Sequence, residues 1–303
     1  MSAAGPAGGE PHGAISRSGF YVLLIVLSII WGLAFDAISL ADRFLSPVNL
    51  TLLRWLLAAA GYLAILPFFG KTKIKFELRD LPRLLMVSFA NVPMYHLSLN
   101  SGEVTVSAGV AGLLVALGPI LIVLLSRVSL KEEIGRKLGV ALIVATCGTV
   151  LLSLSELGGP SGSTIGVLEI LITAVAYALF AVFSKPLVVK YGALPIAIRA
   201  GTIGTAMLLP LLSPNFVTQV STLPVTGWLA VLYLSVLSTV LAYSMFYVLV
   251  SRNTVSRLSV QLYLIPVISV IGGILILGQG LTVFTVAGGS VLLLGVALAT
   301  RRR

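Results

Sequence analysis

The chain is dominated by apolar stretches long enough to cross a lipid bilayer, and this restricts its fold more than any motif does. A helix needs about 20 apolar residues to traverse the hydrocarbon core. Stretches meeting that criterion fall at roughly 20–40, 48–69, 81–99, 104–126, 134–154, 166–188, 194–213, 226–249, 256–277 and 281–300. The breaks between them carry turn chemistry: Ser46-Pro47, Gly70, Gly158-Gly159-Pro160, Ser213-Pro214-Asn215 and Gly278-Gln279-Gly280. Only 10% of residues are charged, against roughly 25% in a soluble domain, so water is not the main solvent. The expected fold class is an all-α integral membrane protein of ten transmembrane helices, with the lipid bilayer as its surroundings.

The net charge of +10 taken alone fits a nucleic-acid partner, and the placement of the basic residues decides against that. Arg17, the five basic residues between Lys71 and Arg83, the four between Arg127 and Lys137, then Lys185, Lys190, Arg252, Arg257 and Arg301 to Arg303 fall on one side of the predicted topology. These are 17 of the 20 Lys and Arg. Arg43 lies on the other side, and Arg54 and Arg199 lie within spans. Positive residues stay in the cytoplasm, so the reading is a multi-pass protein of the plasma (inner) membrane with both termini cytoplasmic and no nucleic-acid partner. Residues 1–18, rich in Gly, Ala, Pro and Ser, read as a disordered tail. The apolar run after Arg17 exceeds the 7–15 residues of a signal-peptide core and is read as a retained span. With one cysteine, Cys147, and two histidines, His12 and His96, neither a disulfide nor a metal site is expected, and no cofactor is implied.

Internal repetition comes next. At an offset of 147, Pro119 matches Pro266, and the turn Leu130-Lys131-Glu132 matches Leu277-Gly278-Gln279. With a two-residue slip, Thr105-Val106-Ser107 matches Thr254-Val255-Ser256, and at an offset of 146 Trp31-Gly32 falls on Tyr177-Ala178. Five spans per half is an odd number, so the second half is expected to enter the membrane upside down. The expected division is therefore two inverted five-helix repeats, 19–155 and 156–303. Such repeats characterise secondary transporters, whose substrate site sits at the repeat interface near midplane.

The same residues carry a family resemblance. Trp31-Gly32 with Phe35, then Pro47 and Arg54, resemble the opening of an EamA-type domain. Ser107-Ala108-Gly109 through Gly118-Pro119 to Leu130-Lys131-Glu132, with Gly139, resembles its close. The second half repeats the close as Leu264-Ile265-Pro266 to Leu277-Gly278-Gln279 with Gly288. The set covers about residues 20–300 and is similar to the drug/metabolite transporter superfamily. The second half departs in two ways: Gln279 stands where the family has glutamate, and Arg54 has no clear match. The resemblance implies secondary transport, usually export of amino acids or related metabolites. It also implies a central cavity lined by spans 1–4 and 6–9, with spans 5 and 10 as scaffold.

Ionisable residues inside a bilayer are functional candidates. At 1.5 Å per residue, Asp36 and His96 fall ~9 Å outward of midplane and Arg54 ~7 Å outward, one shared layer. Arg199 falls ~7 Å and Lys185 ~12 Å inward; both are read as snorkelling to the interface. In the functional reading Asp36 and His96 bind substrate or carry a coupling proton, while Arg54 holds a carboxylate or Asp36 itself. In the structural alternative an Asp36–Arg54 pair fastens two spans. Trp31, Asn91, Tyr95, Tyr177, Gln261 and Tyr263 are further binding candidates near midplane. Tyr243 and Tyr247 share a face of span 8 as an aromatic wall or interface anchors. Glu103 reads as a solvated rim residue. Pro93, Pro119 and Pro266 are candidate hinges.

Among function classes, an exporter of small molecules leads, with protons as candidate co-substrate and a monomer or homodimer as the assembly. Import or exchange of another solute, such as a nucleotide sugar, is the rival. Gly70-Lys71-Thr72 mimics the tail of a P-loop, yet Ile65 occupies the position of its first glycine. An enzyme lacks HExxH or a recognisable nucleophile–base motif, and a channel lacks charged rings or a filter loop.

Overall fold

The computed structural model describes residues 17–68, 76–106, 111, 114–115, 117–154, 164–259, 263–277 and 283–300. The described residues with regular structure are helical. The first half contributes α1 (Arg17–Ala41), α2 (Pro47–Ile65), α3 (81–103), α4 (Gly118–Ser129) and α5 (Arg136–Leu154). The second contributes α6 (Thr164–Tyr191), α7 (Ala193–Leu208), α8 (Val225–Arg252), α9 (Leu264–Leu277) and α10 (Val283–Thr300). Among the described residues, five helices are long and apolar enough to cross a membrane: α1, α2, α6, α7 with its 3-10 extension to Leu211, and α8. The chain is a multi-pass membrane protein.

Local chemistry sets the ends. Ser46 caps α2, its Oγ accepting from the Asn49 N–H at 3.4 Å, and Pro47 occupies the first turn, where no amide partner is needed. A single residue, Gly192, joins α6 to α7 at φ +92°, a backbone region that side chains disfavour. Pro119 and Pro266 lie in the first turns of α4 and α9. Pro93 is different: it sits inside α3, buried, within a π-helical stretch, Ala90–Leu97. A second π stretch, Tyr233–Leu241, lies in α8, the counterpart of α3. In α3 the proline removes one ladder hydrogen bond. In α8 the Thr239 hydroxyl occupies the Leu234 carbonyl at 2.7 Å, and Ser235 occupies Val231 at 2.7 Å. Each helix thus carries a π stretch, with different local chemistry in the two.

The helix pairing has a simple rule. α5 packs on α10 and α2 on α7; α1 packs on α9 and α8, as α6 does on α4 and α3; α2 meets α8 as α7 meets α3. For these pairs, adding five to every helix number returns the same set, while α6 also packs on α7 and α8. Small residues fix the closest approaches. A side chain on Gly148 would collide with the Leu292 backbone, and one on Gly295 would reach Ala145 N at 2.5 Å. As α5 advances from 145 to 148, its α10 neighbours fall from 295 to 292, so these helices are antiparallel. α2 and α7 are antiparallel too: the Thr205 Oγ1 donates to the Trp55 carbonyl at 3.2 Å, while Gly201 faces the Tyr62 ring. α1 and α9 run parallel, with Gly32 against Ile268 and Asp36 against Gly272.

Candidate functional site

A cavity of about 30 Å³ lies between the halves. It is lined from α1 by Trp31, Ala34, Phe35 and Ile38, from α2 by Arg54, and from α3 by Tyr95, His96 and Leu99. Val115 and, from the second half, Tyr177, Ser238, Tyr243 and Ile265 complete it. That space takes one or two waters, far below the roughly 300–1,000 Å³ of a small-molecule site. The space enclosed by the described residues is therefore narrow.

Aromatic rings make most of the wall. Trp31 meets Tyr177 edge-on at 6.1 Å and Tyr243 at 5.4 Å; Tyr95 packs on His96 at 4.8 Å. Behind them Trp55 meets His96 at 5.2 Å, and Phe180 and Phe246 pack at 5.5 Å. Two of these contacts join residues matched by the internal repeat. His96 Nε2 lies 3.1 Å from the Tyr243 hydroxyl, 147 positions away, and Trp31 touches Tyr177 at the 146 offset. Counterparts from the two halves touch across the centre. Both π stretches supply the wall, α3 through Tyr95 and His96, α8 through Ser238.

Arg54 is the strongest polar feature. Its side chain is 2% exposed, and Nε donates to Thr239 Oγ1 at 2.8 Å and Nη2 to Ser238 Oγ at 3.1 Å. The Ser238 carbonyl also accepts from Trp31 Nε1 at 3.1 Å. The cation is held by neutral hydroxyls across the interface between halves. Among the described residues no carboxylate forms an ion pair with it. The Asp36–Arg54 pair entertained from sequence is not formed, because the two side chains leave their helices in different directions. Asp36 is buried on the α9 side against Gly272, with Oδ2 lacking a hydrogen-bond partner.

Of the sequence candidates, Trp31, Arg54, Tyr95, His96 and Tyr177 converge on the cavity. Asp36, Asn91 and Tyr263 do not line it. Asn91 is buried with Oδ1 unpartnered. Tyr263 shares a hydrogen bond with Thr146 at 3.0 Å, within an apolar cluster of Val123, Leu142, Ala145 and Leu292. Tyr263 thus faces α5 and α10 rather than the cavity, a rotation that depth along the helix axis does not reveal. Gln261, like Ser107-Ala108-Gly109 and Gln279, lies outside the described residues. Glu103 departs from the solvated-rim reading: both carboxylate oxygens are buried without partners. Trp55, Ser238, Thr239 and Phe246 were not anticipated. Carrying the 147 offset from His96 to Tyr243 was the signal that would have led to α8.

A charged network closes one end of the bundle, called here the basic end. Lys190 reaches Glu77 and Asp80 at 2.7 Å each, Arg79 pairs with Glu77, and the Tyr191 hydroxyl donates to Asp80 at 2.5 Å. The Lys190 hydrogen bond, helped by Arg79, holds the Glu77 carboxyl below its ordinary value; Lys190 and then Tyr191 do the same for Asp80. Lys185 Nζ donates to the carbonyls of Val250 and Asn253, both at 2.6 Å. The Glu132 carboxylate accepts from the N–H of Val255 at 2.9 Å and of Ser256 at 3.1 Å, and from the Ser256 hydroxyl at 2.5 Å. Lys185 and Glu132 thus grip the α8–α9 turn from both sides, satisfying groups a helix end leaves unpaired. Arg199 does not simply snorkel: it covers the Phe76 ring at 5.4 Å, with Nη1 buried and unpartnered.

The EamA-like transporter family model matches twice, at residues 19–154 and 164–301. The chain belongs to the EamA-like transporter family. An "Uncharacterized transporter" of Archaeoglobus fulgidus is 34% identical, covering 93% of this chain and 99% of its own length. A "Probable terminal-alkyne amino-acid exporter" of Streptantibioticus cattleyicolor is 29% identical, covering 92% of each. A "Probable amino-acid metabolite efflux pump" of Salmonella typhimurium is 26% identical, covering 92% and 93%. One solved crystal structure matches with a TM-score of 0.75 at 21% identity, covering 94% of this chain and 97% of the other, which speaks for the fold alone. This EamA-like chain is thus a transporter built of two repeats, handling a small-molecule substrate in a membrane. The family and its relatives point to transport and away from catalysis.

Proposed function

We propose that this EamA-like protein is a secondary exporter of small metabolites, amino acids or related compounds, with ten crossings and both termini in the cytoplasm. Its halves are inverted repeats that rock against each other, opening the central cavity to one side and then the other. The observation that carries the reading is the cavity itself, walled by both repeats where His96 meets Tyr243 and Trp31 meets Tyr177. The antiparallel runs of α2 against α7 and α5 against α10 support opposite orientation of the halves. The positive-inside distribution supports the sidedness, and two relatives named as exporters support the direction and the substrate class. The π stretches, which widen a helix without ending it, are the sites where α3 and α8 adjust as the cavity enlarges. Asp36 and His96 are candidate proton carriers in the cycle.

Proteoliposomes containing the protein should release a preloaded metabolite panel faster than protein-free vesicles. Absence of flux across a broad panel of amino acids, organic acids and amines defeats the reading. If Asp36 couples protons, Asp36→Asn should abolish the response of flux to a pH gradient while binding persists.

A further inference from the structure

The exporter reading leaves the substrate's charge open, and the cavity wall addresses it. We infer that the site selects monoanionic organic acids with an aromatic or apolar body, in preference to zwitterionic amino acids and to amines. The inference rests on the transport reading of the same cavity and narrows its substrate class, placing organic acids related to amino acids ahead of the amino acids themselves.

Three observations carry it. First, among the described residues the cavity wall contains one permanently charged group, Arg54, and no Asp or Glu. A guanidinium stays protonated in proteins, and this one is buried with Ser238 and Thr239 as neutral partners. Glu103 is near enough for its field to reach Arg54, but it makes no ion pair and does not line the cavity. Burying an unpaired charge is costly, so an arriving carboxylate supplies what the fold withholds, through the strong charge-assisted geometry of arginine. Second, His96 lines the wall with Nδ1 buried and unpartnered, while Nε2 faces the Tyr243 hydroxyl. When Nε2 accepts from Tyr243, Nδ1 carries the proton and is a second spare donor. Third, the rest of the wall is aromatic and aliphatic, Trp31, Phe35, Tyr95, Tyr177 and Ile265 among it, which matches an apolar body.

The same wall disfavours an ammonium group. Aromatic faces alone attract cations, but a cation here shares a desolvated space with the Arg54 guanidinium, and like charges repel strongly at low dielectric. An α-amino acid brings its carboxylate to Arg54 and leaves its ammonium without a wall carboxylate. The zwitterion therefore falls between the anion and the amine.

Three ligands with one phenyl ring test this: 3-phenylpropionate, L-phenylalanine and phenethylamine. Their binding to the full-length protein in detergent is read from tryptophan fluorescence, since Trp31 lines the cavity and Trp55 meets His96 edge-on. The expected order is 3-phenylpropionate tightest, by at least about tenfold over L-phenylalanine, with phenethylamine weakest. Arg54→Gln should level the series. Equal or tighter binding of L-phenylalanine or phenethylamine overturns the inference, as does an unchanged order in Arg54→Gln. If Arg54→Gln does not fold, the order on the unaltered protein decides. Binding of none of the three also overturns it. The transport reading falls separately, only if the proteoliposome panel shows no flux of any solute.

Discussion

The two ends of the bundle close by different chemistry. At the basic end, charge answers charge or a helix terminus: Lys190 with Glu77 and Asp80, Lys185 with the carbonyls ending α8, and Glu132 with the amides preceding α9. At the opposite end the links between halves are neutral. Gln219 Oε1 accepts from Asn49 Nδ2 at 2.7 Å and from the Ser46 N–H at 3.0 Å, and Ser213 donates to Asn49 at 3.1 Å. The carboxylates there go unanswered, with Asp36 Oδ2, Asp42 Oδ1 and both Glu103 oxygens buried and unpartnered. Arg199 is the exception at the basic end. Unpaired buried polar groups favour any rearrangement that brings them water or a partner. The contrast is that paired charges fasten the basic end, whereas the opposite end is joined by neutral bonds and leaves its buried carboxylates unanswered.

The largest effect expected in breaking this comparison is at Asp42. Burial pushes its carboxyl from 3.8 up to about 7. The folded state then holds the proton more tightly than the unfolded state. The associated stability is complete below pH 3.8 and is lost as pH rises toward 7. Asp42→Asn should therefore exceed the parent in stability at pH 8, by at most about 4 kcal/mol at roughly 1.4 kcal/mol per pKa step, and match it below pH 4. Parallel thermal-unfolding curves at both pH values would remove Asp42 from the argument.

Glu132→Ala comes next. It strips three hydrogen bonds from the α8–α9 turn and leaves Lys185 without its nearby carboxylate, so about 2–3 kcal/mol of stability should go. Glu132→Gln, keeping one acceptor oxygen, should lose less. A mild Glu132→Ala phenotype would mean the basic end is no firmer than the other. Gln219→Ala removes only neutral, half-exposed bonds and should cost about 1 kcal/mol. A loss equal to that of Glu132→Ala would erase the asymmetry. The smallest effect concerns acid. Glu77 and Asp80 titrate below their ordinary values, so their contribution is fully present above about pH 4.5 and fades as pH falls through the lowered values. Proteolysis of the 66–83 connection should therefore accelerate only in strong acid; acceleration already at pH 6 would show that another group holds this end.

The membrane class, the repeat and the family were readable from the chain alone, because hydrophobic length, charge placement and spacing are additive local properties of sequence. Arg54, His96, Trp31, Tyr95 and Tyr177 were readable as candidates for a related reason: polar and aromatic groups stand out against an apolar background. What sequence did not decide is who meets whom. Arg54 turned to Ser238 and Thr239, Asp36 to Gly272, and Tyr263 away from the cavity toward Thr146. Glu132 became a cap for a turn 123 residues distant. Such choices depend on the rotation of each helix about its axis and on the register between helices far apart in the chain. A shift of one residue turns a side chain by about 100°, and only packing of the assembled bundle, with its glycine contacts and widened α3 and α8, sets those angles.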